Sequence, residues 1–294
     1  AFHLESLPMA GSVVVSDIQK ASAFLIQQLN LEELQVEDAL SDDERPALRA
    51  TEGGLFMVAT AVTTKDSTEK YVEVGIFMLQ HSIITVSTSL CPQVQEWLDH
   101  LTRRRPTADY VNRALHLLLD IVVDDYFPLC DQIEDDVDLL EDRLFGGRTT
   151  LVADALELKR RILSVRRRLN PLRDVLNSLL RQGDSIVSEE IKPYLQDVYD
   201  HTLRVGETVD INRDILAGVL DAHLATISNE LNIAMRILTV GATMLMTASL
   251  ISGIYGMNLI IPETEWRLGY PFAIVLMVTL CAIEYAYFKK KGWL

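Results

Sequence analysis

The residues best placed to do chemistry lie on one face of an apolar run near the end of the chain. Asn232, Met235, Leu238, Ala242, Met246, Ser249, Gly253 and Gly256 recur at steps of three or four. On a helix that spacing makes one stripe of small, polar or flexible side chains. The stripe is either a seam where helices pack closely or the lining of a path shared by several copies of the same helix. Two spans cannot enclose a path, so the second reading requires an oligomer. Elsewhere, His116 with Asp120 and Asp197 with His201 stand four apart, a spacing that suits metal ligands on a helix or a solvated helix face. Asp131, Glu134, Asp135, Asp136, Asp138, Glu141 and Asp142 crowd one helix, and Lys159, Arg160, Arg161, Arg166, Arg167 and Arg168 crowd the next. These read as complementary faces of an antiparallel hairpin; the acids could also gather cations as a diffuse field.

Nothing here resembles a catalytic constellation. The chain has no Walker A sequence, no His-Glu-x-x-His and no Gly-x-Ser-x-Gly. It is therefore not expected to be an enzyme, and any transport it performs would be passive, without ATP. Residues 1–230 of the 294 carry 22 Lys and Arg against 39 Asp and Glu, whereas residues 231–294 carry five against three. An acidic soluble part is thus joined to an apolar tail. That balance argues against nucleic acid as a partner and suits the handling of cations. Three scattered cysteines, Cys91, Cys130 and Cys281, give no disulfide framework and fit a reducing compartment. The first residues lack a basic stretch followed by an apolar run, so no cleavable signal is expected in this sequence.

The tail supplies two membrane-spanning candidates, at about 236–255 and 271–288. Ile237 to Tyr255 holds 19 residues without a charge, roughly 28 Å of helix and close to the thickness of a bilayer core. Pro271 to Phe288 holds one acid, Glu284. Arg236 precedes the first span and Lys289, Lys290 and Lys291 follow the second, so both termini are expected in the cytoplasm and the short loop outside.

The acidic part divides in two. Residues 1–105 read as an α/β domain. Helices are expected over Ile18 to Leu29, Leu31 to Leu40 and Gln93 to Arg104. Strands are expected over Leu55 to Val62, Tyr71 to Leu79 and Ile83 to Ser87, with Thr63 to Glu69 as a polar hairpin connection. Residues 106–230 read as a helical stalk. One helix is expected from Asp109 to a stop at Gly146-Gly147, and a second from Leu151 to Arg181 with Pro171 inside it as a possible kink point. A third is expected to start at Ser188-Glu189-Glu190-Ile191, after the break at Gly183-Asp184. From Tyr194 to Gly253 no strong stop occurs, which predicts a helix of about 60 residues, on the order of 90 Å. It would run from the soluble part into the first span. The expected whole is an α+β membrane protein, with residues 231–294 as its transmembrane domain.

Tyr255-Gly256-Met257-Asn258 ends the first span, with Asn258 36 residues from the C-terminus. This tetrapeptide, the two terminal spans, the short loop and the closing Lys289-Lys290-Lys291-Gly292-Trp293-Leu294 resemble the CorA family of magnesium channels. The likeness continues through Tyr194 to His201, Val123 to Phe127 and Val36 to Leu40. It implies a homopentamer in the plasma or inner membrane, with five first spans around a pore for Mg²⁺, with Co²⁺ and Ni²⁺ as further candidate ions. Gly256, Met257 and Asn258 would form the outer mouth and selectivity filter, and Asn232 an inner polar ring. Leu238 and Met246 would be apolar constrictions that close by dewetting. Mg²⁺ sheds water reluctantly, and a ring of Asn258 carbonyls could hold its water shell intact. The resemblance also implies regulatory Mg²⁺ sites between subunits at Asp38 and Asp197, with Glu37 and Asp120 as a second cluster. The chain departs from the family pattern at Thr247, where a proline is usual, at Leu259, where an aromatic is usual, and in a loop one residue shorter, although Glu263 keeps the Pro-Glu pair. Two rivals remain: a related Zn²⁺ transporter, whose path would be expected to carry His or Cys, and a membrane-anchored scaffold or sensor that conducts nothing.

Overall fold

In a computed structural model of the chain, the described residues are 3–7, 9–15, 18–29, 33–40, 47–51, 54–65, 68–103, 109–145, 152–182, 187–258, 262 and 266–293. Residues 1–218 form one compact unit and residues 219–294 another.

The first unit is built on a six-stranded sheet: β1 (His3–Leu7), β2 (Ala10–Val14), β3 (Leu48–Thr51), β4 (Gly54–Lys65), β5 (Thr68–Leu79) and β6 (Ile83–Ser87), ordered β1-β2-β6-β5-β4-β3. Only β2 and β6 are parallel; the other neighbours run antiparallel. The three expected strands are its centre. The β4–β5 ladder reaches Lys65↔Thr68, so the expected polar connection is mostly strand, as its threonines permit. Side-chain alternation splits β4 between two cores: Leu55, Met57, Ala59 and Ala61 face one, Phe56 and Val58 the other. Because both faces are covered, the strand reads as a continuous apolar run.

Helices α1 (Ile18–Leu29) and α2 (Glu33–Leu40) cover one face through Leu25, Val36, Ala39 and Leu40. A Cβ on Gly75 would lie 2.7 Å from the Cβ of Ala39, so glycine at this point of β5 lets α2 press against the sheet and fixes the level of Glu37 and Asp38. The other face carries α3 (Pro92–Thr102), α4 (Tyr110–Asp124), and parts of α6 (Val152–Gln182) and α7 (Lys192–Tyr255). Trp97 of α3 is fully buried and donates its indole N–H to the Ala114 carbonyl of α4 at 2.7 Å, so the ring is buried without an orphaned donor.

The single helix expected from Asp109 to residue 145 is two, α4 and α5 (Tyr126–Phe145), with Asp125 between them. Pro128 explains the break: it has no N–H for the Asp124 carbonyl four residues back, and its ring would crowd that oxygen. Buried Tyr126 pins the junction by donating its hydroxyl to the Thr60 carbonyl at 2.8 Å. By contrast, α6 runs through Pro171. Of the charged residues expected to face each other on α5 and α6, Arg161 meets Asp136 of α5 and also Glu69 of β5, whereas Arg166 pairs with Asp210 of α7 and Arg168 lies over the ring of Tyr71. Ser188 to Ile191 form a turn rather than the start of α7; the helix begins at Lys192, with Pro193 in its first turn. The expected stops at Gly146-Gly147 and Gly183-Asp184 lie outside the described residues.

The long helix is present. α7 runs 64 residues without interruption from Lys192 to Tyr255, about 96 Å at the standard rise. α8 (Gly269–Lys290) follows, and both are long and apolar enough to cross a membrane.

Candidate ion path and carboxylate cluster

In the second unit, α7 presents one face to α8 and leaves the opposite one open. Val240, Met244, Thr247 and Ile251 are buried or half-buried, as are Ala273, Cys281 and Glu284 of α8. Two contacts tie the helices: the Thr247 hydroxyl donates to Glu284 Oε1 at 2.5 Å, and Cys281 Sγ lies 3.7 Å from the Met244 carbonyl. The expected stripe is on the other side. Asn232, Met235, Leu238, Ala242, Met246, Ser249, Gly253 and Gly256 are all exposed, Leu238 by 66% and Met246 by 71%. The contact with α8 therefore leaves this stripe uncovered, and the intramolecular packing-seam reading does not describe it.

Past Tyr255 the helix stops within one turn. Gly256 N–H still reaches the Ser252 carbonyl at 2.9 Å, but Met257 N–H bonds three residues back, to Ile254, at 3.3 Å. A Cβ at Gly256 would sit 3.0 Å from the Ser252 carbonyl oxygen, so glycine suits this tight end. Met257 and Asn258 follow, exposed at the tip of α7. Glu263 lies outside the described residues. At the far end of α8, Gly292 takes φ +69°. Trp293 N–H reaches the Phe288 carbonyl at 3.0 Å and Gly292 N–H the Lys289 carbonyl at 3.1 Å, a glycine-terminated helix cap. It presents Lys289, Lys290 and Lys291 together, with Trp293 stacked on Phe288, an aromatic and basic rim of the kind found at membrane interfaces.

The first unit gathers a cation-type cluster from α4 and α7. Asp120 and Asp124 share a face of α4, Asp197 and His201 a face of α7, because each pair is four residues apart. His201 Nδ1 lies 3.3 Å from Asp124 Oδ1, and its Nε2 lies 3.8 Å from Asp197 Oδ2. One ligand atom each from Asp120, Asp124 and His201 fall within 4.8 Å of one another. Burial, and then the negative charge of Asp124, push the Asp120 carboxyl above the ordinary carboxylate value. Crowded acids of this kind gain from a bridging cation. Two carboxylates and an imidazole suit a hydrated Mg²⁺ through their oxygens, and a borderline ion such as Co²⁺ through all three.

The sequence pointed to Asp120 and Asp197, which the fold brings together through His201. It did not single out Asp124 as a ligand, although Asp124 stands one helical turn beyond Asp120. Glu37 and Asp38 sit on α2 and are not part of this group. Glu37 is exposed. Asp38 Oδ2 lies 2.5 Å from Arg49 Nη1, a charge contact without hydrogen-bond alignment.

Known proteins share this architecture. The sequence model for the CorA-like Mg²⁺ transporter protein family matches residues 14–290. The cobalt/magnesium transport protein CorA of Thermotoga maritima is 34% identical over 270 residues, covering 89% of this chain and 76% of its own. The complete CorA magnesium transporter of Methanocaldococcus jannaschii superposes with a TM-score of 0.86 at 21% identity, over 99% of this chain and 93% of that one. Full-length CmaX superposes at 0.78, again with 21% identity, over 99% and 91%. At that identity the two structures speak for the fold alone.

Proposed function

Because this chain belongs to the CorA-like Mg²⁺ transporter family, we propose that it is a homopentameric channel that passes Mg²⁺, and related ions such as Co²⁺, passively across a lipid membrane. Five α7 stripes line the path, five α8 helices surround them, and Gly256, Met257 and Asn258 form the outer mouth. The Lys289 to Lys291 cluster supports termini on the cytoplasmic side, by the positive-inside rule. The path offers oxygen and apolar groups but no His or Cys, which favours Mg²⁺ over Zn²⁺. A stripe that sets Asn232, Ser249 and two glycines among apolar residues and ends at Asn258 favours a path over a scaffold that conducts nothing.

One observation supports gating by the transported ion itself: a single helix carries Asp197 and His201 near one end and Leu238, Met246 and Asn258 toward the other. Mg²⁺ held by Asp120, Asp124, Asp197 and His201, with Glu37 and Asp38 of a neighbouring copy adding oxygens, stabilises the closed pentamer. Asp38 is already partnered by Arg49, so Glu37 is the freer of the two. Binding biases the gate only through differential affinity for the closed state. A swing from 1:99 to 99:1 takes about 5.5 kcal/mol; five equivalent sites need about 1.1 kcal/mol each, roughly a sixfold preference per site. Weak, hydrated binding suffices.

The test is Mg²⁺ influx into liposomes as a function of Mg²⁺ on the cytoplasmic side. The Asp120→Asn/Asp124→Asn double variant is expected to need at least tenfold more Mg²⁺ for half-inhibition, with influx at low Mg²⁺ preserved. An inhibition curve superimposable on the wild type would remove this cluster from the sensor.

A further inference from the structure

Three threonine hydroxyls in the apolar helices bond within their own helix. Thr239 donates to the Met235 carbonyl, Thr243 to the Thr239 carbonyl and Thr279 to the Val275 carbonyl, each four residues back at 2.7 to 2.8 Å. Thr247 departs from this habit and donates across to α8, to Glu284. Glu284 is the single Asp or Glu of α8. It is half-buried against α7, and its second carboxyl oxygen, Oε2, is buried with no hydrogen-bond partner among the described residues. A carboxyl at this depth is expensive and is expected to serve a purpose in its protein. Met246, the neighbour of Thr247, is 71% exposed on the stripe, about 100° around the helix from it. One turn of α7 thus carries the proposed apolar constriction on the stripe and a polar tie to α8.

We propose that Thr247 and Glu284 form an intramembrane clasp that positions Met246, so that the outer helix sets how tightly the constriction closes. The inference rests on the proposed ion path along the α7 stripe. Aliphatic contacts permit α8 to rotate and slide, because lipid tails are as apolar as the helices themselves. A hydroxyl–carboxyl bond does not: it fixes both rotation and register at the level of Met246. Cys281, one turn from Glu284, meets the Met244 carbonyl and marks the same line of approach. Thr247 and Glu284 are positioning residues; neither is required to touch the ion.

The experiment compares influx at inhibitory cytoplasmic Mg²⁺ with influx at low Mg²⁺, using the full chain in liposomes. This ratio does not depend on how much of the protein is active. Thr247→Val and Glu284→Leu are each expected to raise the ratio by about threefold, the population shift that an average interhelical hydrogen bond supplies. The double variant is expected to raise it no further, because both changes remove one bond. Thr247→Ser and Glu284→Gln keep a donor and an acceptor and are expected to restore the wild-type ratio. Effects that multiply in the double variant, a Gln variant that behaves like Leu, or an unchanged ratio in Thr247→Val would each overturn the clasp. Should Glu284→Leu fail to assemble, the contrast between Thr247→Val and Thr247→Ser decides alone. Wild-type protein that assembles yet carries no Mg²⁺ would overturn the ion path itself and the clasp with it, a result distinct from the others.

Discussion

Asn258→Ala is expected to cut Mg²⁺ influx to the leak of protein-free liposomes while the assembled protein keeps its size. Asn258 is exposed just beyond the last turn of α7, so removing its amide leaves no buried group unpaired and costs the fold little. In the proposed pentamer that change deletes five carbonyl oxygens from one ring. An ion that keeps its water shell is recognised through hydrogen bonds from that water, and neither Gly256 nor Met257 offers a side-chain oxygen to replace them. Size-exclusion chromatography separates loss of the mouth from loss of assembly. Influx at the wild-type rate in an intact Ala variant would show that Asn258 is not the filter.

Leu238→Gly and Met246→Gly are expected to act in the opposite direction. Each is expected to raise influx at inhibitory Mg²⁺ at least fivefold, with influx at low Mg²⁺ little changed. The two residues lie about 12 Å apart along the helix, both on the exposed stripe. An apolar ring closes by expelling water and needs side-chain bulk to do so. Glycine removes the bulk, and its cost to helix stability is about 1 kcal/mol. The control is Ile237→Gly, one position off the stripe, which carries the same helix cost without widening the path. If that variant leaks equally, the leak comes from a weakened helix rather than an opened gate.

The parts of the fold that rest on local pattern were legible. The central strands announce themselves by runs of Val, Ile, Phe and Thr, and α7 by the lack of any strong stop over some 60 residues. β1, β2 and β3 were not: β1 and β3 are short edge strands, and β2, although paired on both sides, opens with Ala10, Gly11 and Ser12 and so carries little β-branched pattern. The break at Asp125 was legible in principle: Pro128 predicts an unpaired carbonyl at Asp124, but the unbroken apolar periodicity on both sides masked it. The stripe and its Gly-Met-Asn end could be read from spacing and resemblance. The cluster could be read only by halves. Asp197 and His201 share a helix face, as do Asp120 and Asp124, yet that His201 reaches Asp124 depends on α4 and α7 packing on one core. The Asp38–Arg49 contact likewise joins a helix to a strand formed later in the chain, and no local signal carries it. The tie between Thr247 and Glu284 is of the same kind: 37 residues separate them, and only the docking of α8 on α7 brings them together.

Influx of Mg²⁺ into liposomes containing the purified full chain, followed while the Mg²⁺ concentration on the cytoplasmic side is raised, tests the proposed channel most directly. Passive conduction controlled by its own ion requires influx without ATP that rises with the gradient and with inward-negative voltage. It also requires influx to fall steeply as cytoplasmic Mg²⁺ fills the carboxylate cluster. No influx from correctly assembled protein, or influx that does not respond to cytoplasmic Mg²⁺ at any concentration, would contradict it.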